Sequence, residues 1–295
     1  MKDYVIVTDS TADMPYEEMV RLEIEVVPME FIMDGDTYHH YADAREMSYE
    51  TFYDHIKAGK KISTTQINYF TYENVFRPIL ERGQDLLYIA FSSGLSGTYQ
   101  AAKLVVEDLL EEFPERKILL VDSLSASIGE GLLVYLAGEK RRNQMSLEDL
   151  YIWVKENRLK VGHWFVVDDL NHLKQGGRIN AIQATLGSAL NLKPMLSVDD
   201  EGKLVSVSKI RGTKKIVEAF VARIKHDGIH TEEQTVIVGH ASNLAMAEKI
   251  KDRLLELELV QKVLLADIGP IIGTHVGAGM AALVFMGNER NLEAI

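Results

Sequence analysis

Asp85-Leu-Leu-Tyr-Ile-Ala-Phe91 runs straight into Ser92-Ser-Gly-Leu-Ser-Gly-Thr98, and the join between them decides the fold. After its leading aspartate the first segment is unbroken apolar sequence, the pattern of a strand covered on both faces, as parallel sheets require. The second is small and polar, and a helical stretch follows it to about residue 113. Such a turn lies at the carboxyl end of a strand, where open α/β sheets bind ligands. Small residues leave backbone N–H groups able to face outward, the helix contributes its positive end, and Ser92, Ser93 and Ser96 add hydroxyls. The expected guest is an anion. The plainer reading of the same residues is a tight strand-to-helix turn with a serine cap. The loop lacks both the Gly-Lys-Ser/Thr of a nucleotide-phosphate loop and the Gly-x-Ser-x-Gly register of a nucleophile elbow.

Outward from that join the alternation continues. The β-branched run at 4–8 predicts a strand ending at Asp9-Ser10-Thr11, with further strands over 25–33 and 117–121. Apolar spacing predicts helices over 16–22, over 47–59 with Ser48 as N-cap and Gly59 as stop, over 66–80, over 129–142, and from Ser146 to about 158. Strands linked by such crossovers make a parallel sheet with helices on both faces. From Trp164-Phe-Val-Val167 onward the character changes. A polar stretch ending in Gly176-Gly177 and a helix over 181–192 precede a hairpin, 195–198 with 204–209, closed by Asp199-Asp-Glu-Gly202. Helix 213–225, strand 235–239, helix 243–257 and strand 263–267 complete an α+β pattern. The reading is α/β in two domains. An N-terminal three-layer parallel-sheet domain spans 1–160 and a C-terminal α+β domain spans 161–295, closely apposed around a ligand cleft.

Composition bounds the function. A length of 295 residues fits two domains, and 46% hydrophobic with 26% charged residues is globular rather than disordered. Forty-four acidic against 32 basic side chains give −12, which argues against nucleic acid or an anionic membrane as partner. Without cysteine there is no disulfide, thiolate metal site or thiol nucleophile. No signal-like segment opens the chain, and no run reaches the roughly 18 apolar residues of a membrane helix, so a cytoplasmic protein is expected.

Other segments carry chemistry. Ser63-Thr64-Thr65-Gln66 is a hydroxyl run ahead of a helix, most simply an N-cap cluster. Gly269-Pro-Ile-Ile-Gly-Thr-His-Val-Gly-Ala-Gly279 sets His275 in a constrained loop, where an imidazole can donate to or accept from a ligand. Its Gly277-x-Gly279 lacks the rest of a dinucleotide fingerprint. Arg178, after two glycines, is a fixed cation on an exposed corner that can meet an anion or pair with Asp168 or Asp169. His39-His40 read as solvated loop histidines, since neighbours on a strand point to opposite faces. The remaining histidines have no metal-ligand spacing, and neither metal nor cofactor is expected.

Taken together, these segments resemble the DegV family of bacterial fatty-acid-binding proteins over nearly the whole chain. The matching elements are Thr8-Asp-Ser-Thr-Ala-Asp13, Thr64-Thr-Gln66, Ser92-Ser-Gly-Leu-Ser-Gly-Thr-Tyr99, Val121-Asp-Ser123, the stretch from Asp168 to Ile179, Leu192-Lys-Pro194, Lys209-Ile-Arg211, and Gly269 to Gly277. One departure is that the family's Thr-Ser-Gln-Pro-Ser is here Thr64-Thr65-Gln66-Ile67-Asn68, which changes the local loop and keeps the hydroxyl chemistry. The resemblance implies one long-chain fatty acid, such as palmitate, held between two domains. Its carboxylate would be bound by Thr64, Ser93 and Ser96, with Arg178 and His275 near the head group. It also implies, for some members, presentation of the acid to a separate ATP-binding kinase subunit that forms an acyl phosphate.

The ligand is physically sensible. Hydroxyls and N–H groups can fill a carboxylate's lone pairs. A tail of about 15 methylenes at ~0.8 kcal/mol each gives about 12 kcal/mol gross, of which ordering removes a third or more. Ile128, Leu132, Ile182, Leu186, Leu190, Ile271 and Ile272 are the candidate tunnel residues. Two rivals remain open: a serine hydrolase using Ser96 with His275 as base and Asp267 or Asp9 orienting it, and a regulatory module without ligand.

Overall fold

What reads as one strand over 25–33 is two, split at Pro28, and its halves belong to different sheets. A proline donates no ladder hydrogen bond and fixes φ at about −65°, so the chain changes sheets there. The computed structural model describes residues 4–168, 170–179, 192–290 and 292–293. Its first sheet is wholly parallel, in the order β2 (Ile24–Val27), β1 (Tyr4–Asp9), β6 (Asp85–Ala90), β7 (Ile118–Asp122). β6 is buried along its length, as its apolar run requires. α3 (Tyr69–Glu81) and α4 (Thr98–Glu112) pack together on one face, and α5 (Ile128–Arg142) and α6 (Leu147–Asn157) on the other. Ser48 and Ser146 cap α2 (Tyr49–Lys57) and α6, accepting from Thr51 N and Asp149 N.

Beyond Pro28, β3 (Met29–Met33) forms a small antiparallel sheet with β4 (Asp36–His40) and β5 (Ile62–Thr64). Thr64 therefore ends a strand, opposite Phe31. The hydroxyl run is not the cap of α3: Asn68 is, its Oδ1 accepting from Thr71 N at 3.0 Å. His40 is not a solvated loop histidine either, since it lies on β4 at 3% exposure.

The third sheet has the order β10 (Leu204–Arg211), β9 (Leu192–Val198), β8 (Val161–Val166), β13 (Ala281–Met286), β11 (Thr235–His240), β12 (Lys262–Asp267). β11–β12 is parallel and the other pairs are antiparallel, giving the mixed sheet that a hairpin plus a βαβ unit implies. Side chains alternate across β8 with period two. Trp164 and Val166 join one core with α8 (Thr213–Asp227) and α9 (Leu244–Glu256), while Phe165 joins the core that runs through α5 into the parallel sheet. α5 packs against both sheets. The glycine-rich stretch around His275 is not a loop but a short helix, α10 (Pro270–Val276), which Pro270 can begin because the first helical N–H has no partner to lose. A short helix, α7 (Asn171–Gln175), precedes Gly176. The helix expected over 181–192 lies outside the described residues up to Leu192, which begins β9.

Candidate functional site

β5, the β6–α4 loop, the start of α5, the turn after α7 and α10 converge on one cavity with about 1000 Å³ of empty space, part of it open to solvent. Its wall is mainly apolar, with Met29, Phe91, Ile128, Leu173, Ile271, Ile272, Val276 and Met280 joined by Trp164, Phe165 and Val284 of β8 and β13. Thr64, Thr65, Gln66, Ser96, Ser127, His163, Arg178 and His275 supply the polar groups. Of the tunnel residues proposed from sequence, Ile128, Ile271 and Ile272 line it. Leu132 is buried in the core but is not part of the lining, and Ile182, Leu186 and Leu190 lie outside the described residues.

Thr64 Oγ1 and His275 Nε2 are 2.9 Å apart at one corner of this cavity. Burial first, then the neighbouring Arg178 and His172, pushes His275 down to about 4, so its imidazole is neutral at pH 7. Nδ1 is buried without a hydrogen-bond partner among the described residues. A proton there would be an orphaned donor, whereas a lone pair without a partner costs less, so the proton belongs on Nε2. Nε2–H then donates to Thr64 Oγ1, and the threonine hydroxyl proton is left to donate to a ligand.

Arg178 shares this corner. It is half-buried in the wall rather than on an exposed corner, and burial lowers its guanidinium. Nη1 donates to Gly176 O. Asp168, one partner suggested from sequence, instead pairs with Lys193 Nζ at 2.6 Å, and Asp169 lies outside the described residues.

The β6–α4 loop contributes less than its composition promised. Ser93 N donates to Asp122 Oδ1, Gly94 N to Ser92 Oγ, and Leu95 N and Ser96 N to Ser92 O. These N–H groups are consumed within the protein, so they form no outward-facing cradle. Ser96 does line the cavity, its Oγ 2.8 Å from Thr98 Oγ1. Ser93 is exposed and is not in the lining. The structure thus gathers Thr64, Ser96, Arg178 and His275 and leaves Ser93 aside. Sequence reasoning missed Thr65, Gln66, Ser127 and His163 as wall residues. The signal available for Gln66 was its place in the Thr64-Thr-Gln66 element; in the structure it packs so closely on Gly97 that a Cβ there would stand 2.3 Å from Gln66 Oε1.

The hydrolase constellation is not assembled. Ser96 turns to Thr98, His275 Nε2 to Thr64, and His275 Nδ1 meets no carboxylate among the described residues. Asp267 lies 3.6 Å from His240, and Asp9 accepts from Thr11, Tyr88 Oη and Phe91 N. Among the described residues no group of three His, Asp or Glu side chains could hold a metal, and no helix is long and apolar enough to cross a membrane.

A mostly apolar cavity with a few convergent polar groups, set between a parallel and a mixed sheet, is the kind of site in which α/β proteins hold small molecules. The chain belongs to the DegV family: the family's sequence model, described as uncharacterised protein, DegV family, matches residues 3–288. A DegV domain-containing protein of Clostridium perfringens is 37% identical over 290 residues, 98% of this chain and 99% of the relative. One from Streptococcus pyogenes is 38% identical over 286 residues, 97% and 99% of the two chains. Among solved structures, a fatty-acid-binding DegV family protein from Thermus thermophilus is 29% identical with a TM-score of 0.86, covering 97% of this chain and 100% of that one. DegV of Bacillus subtilis, described as a fatty acid binding protein, is 27% identical with a TM-score of 0.83 over 98% and 100%. The resemblance drawn from the motifs holds in both family and fold.

Proposed function

We propose that the cavity holds one long-chain fatty acid, its carboxylate at Thr64, Ser96, Arg178 and His275 and its tail along the apolar wall, between units spanning 1–160 and 161–295. The observation that carries this reading is the polar corner: a threonine hydroxyl oriented by a neutral imidazole, beside a half-buried guanidinium, at the edge of an apolar hollow. A carboxylate taken out of water needs charge-assisted donors, and a nearby permanent cation offsets part of its desolvation. The Thermus and Bacillus proteins, each described as binding fatty acid, support the ligand class. Ser93, exposed outside the lining, is not needed for these contacts. The proposed consumer, drawn from the family resemblance, is a separate ATP-binding kinase subunit in the cytoplasm; this chain has no Gly-Lys-Ser/Thr phosphate loop of its own.

Mass spectrometry of the protein as purified, followed by titration of delipidated protein with palmitate, tests the ligand. Saturable binding is expected, and delipidated protein that takes up no fatty acid overturns the reading. For the kinase half, ATP and palmitate should give no acyl phosphate with this chain alone and should give it once an ATP-binding fatty-acid kinase subunit is added. Acyl phosphate formed by the chain alone would overturn the carrier role.

A further inference from the structure

No residue of the segment Thr8-Asp-Ser-Thr-Ala-Asp13 is in the cavity lining, yet its last residue holds two of the cavity's walls. Asp13 follows a short turn of 3-10 helix in the left-handed region, at φ 45°, and is 5% exposed. Its Oδ2 is hydrogen-bonded to Ser127 Oγ at 2.6 Å, and its Oδ1 accepts from Gly269 N at 2.9 Å. Ser127 precedes α5 and lines the cavity beside Ile128. Gly269 precedes α10, which carries Ile271, Ile272 and His275 into the same cavity. Tyr53 Oη fixes the neighbouring carbonyl, donating to Ile268 O at 2.7 Å. One buried carboxyl therefore joins the first turns of two wall helices.

We propose that Asp13 is a positioning residue for the head-group corner, coupling its own protonation to the placement of His275 and so to the affinity for the anionic ligand. This rests on the fatty-acid reading above for its consequence, not for its geometry. The groups that face Asp13 are Asp9 from β1, Ser127 and Glu130 from α5, His40 from β4, Tyr49 and Tyr53 from α2, and Asp267 at the end of β12. None supplies a cation: burial pushes His40 down to about 3, so it is neutral. Burial, opposed by the two donated hydrogen bonds and aided by Asp9 and Asp267, pushes Asp13 up to about 8. In the neutral carboxyl that prevails at pH 7 the proton sits on Oδ2 and is donated to Ser127 Oγ, and the group ionises in the mildly alkaline range, where Ser127 becomes the donor. A second negative charge behind the corner disfavours a bound carboxylate, so affinity should fall as pH rises through that range.

The test follows the ring resonances of His275 in the ligand-free protein from pH 7 to 9.5, and palmitate affinity over the same span. A His275 inflection near pH 8 is expected, with affinity weaker by about five-fold or more at the alkaline end. Asp13→Asn, which can keep both contacts through its amide, should abolish the inflection and hold affinity constant. Should that variant fold poorly, Ser127→Ala, which removes one donor to the carboxylate, should move the inflection upward. A wild-type His275 signal without inflection, or an inflection unchanged in these variants, overturns the inference whether or not fatty acid binds. Wild-type protein that shows the inflection but binds no palmitate overturns the proposed function instead.

Discussion

Thr64 and His275 stand 211 residues apart in the chain and meet at 2.9 Å. One comes from the last position of a three-residue strand, the other from a seven-residue helix. With the proton on Nε2, the imidazole accepts nothing from Thr64 and aims the hydroxyl at whatever anion enters the corner.

Removing that hydroxyl without changing shape should be felt in binding. Thr64→Val is expected to weaken palmitate affinity by about 1.5–3 kcal/mol, the range for a hydrogen bond to a charged acceptor, which is about 10- to 150-fold in Kd. Ser96→Ala should weaken it further. Calorimetry on delipidated protein measures both, and wild-type affinity in the double variant would place the carboxylate elsewhere.

His275 should gain basicity when the ligand arrives. Its free value of about 4 lies below the unfolded one because burial and Arg178 oppose the cation. A carboxylate beside it reverses that balance, so the value rises on binding. Affinity should then be greatest at acid pH and decline as pH climbs through the raised value, an effect that His275→Ala removes. An NMR titration giving the same pKa with and without palmitate would rule this out.

Arg178 contributes through a permanent charge. Arg178→Ala should weaken palmitate binding equally at pH 6 and pH 8, and Arg178→Lys should restore part of the loss, because an ammonium replaces the charge but not the planar fork. Undiminished affinity in Arg178→Ala would move its role from the cavity to the surface met by a partner subunit.

Gly129 offers a test of packing that opposes two known effects. Alanine in the first turn of α5 should gain up to about 1 kcal/mol in helix propensity. A Cβ there, however, would lie 1.8 Å from His163 Nε2, on a ring that is itself fully buried. Overpacking of that kind costs about 1–3 kcal/mol, and the outcome expected from urea denaturation of Gly129→Ala is net destabilisation. Equal or greater stability would mean that β8 and α5 can move apart at that point.

The buried imidazoles contribute stability that acid removes, opposed between pH 7 and 5 by Asp13, Asp9 and Glu130, whose raised carboxyls hold a proton in the folded state. Burial holds His40 at about 3 and His163 well below its ordinary value. A lowered folded value means the unfolded chain takes up the proton first, so their contribution is intact above about 6.5 and is lost as pH falls below it. Each such imidazole contributes a slope of at most about 1.4 kcal/mol per pH unit. His40→Leu, measured by urea midpoints between pH 7 and 5, should lose less stability on acidification than the wild type, and an unchanged slope would place the proton uptake elsewhere.

The sequence made some of this legible and hid the rest for identifiable reasons. β6 announced itself because a strand covered on both faces must be apolar throughout, and Ser48 and Ser146 announced their helices because cap chemistry is local. The small β3–β4–β5 sheet did not, since Asp36-Thr-Tyr-His-His40 is polar and β5 is only three residues long. Proline and glycines in Gly269–Gly279 suggested a loop, but Pro270 at the first position of α10 favours a helix start. The Ser92–Ser96 loop reaches the cavity through Leu95 and Ser96. Its N–H groups were not correctly assigned, because Asp122 and Ser92, which satisfy them, are partners that only the folded chain brings into register. Thr64, Ser96 and His275 could be named from their motifs. That Thr64 and His275 touch could not.

Because α5 is packed by both sheets at once, the two halves share a spine rather than a hinge. Swinging them apart to admit a lipid would bare the inner face of β8 and β13 together with the apolar side of α5, undoing core to open a door. Under the proposed function, loading and release would therefore be local events, confined to segments that border the cavity without belonging to that common interior, and the chain should melt in a single cooperative step.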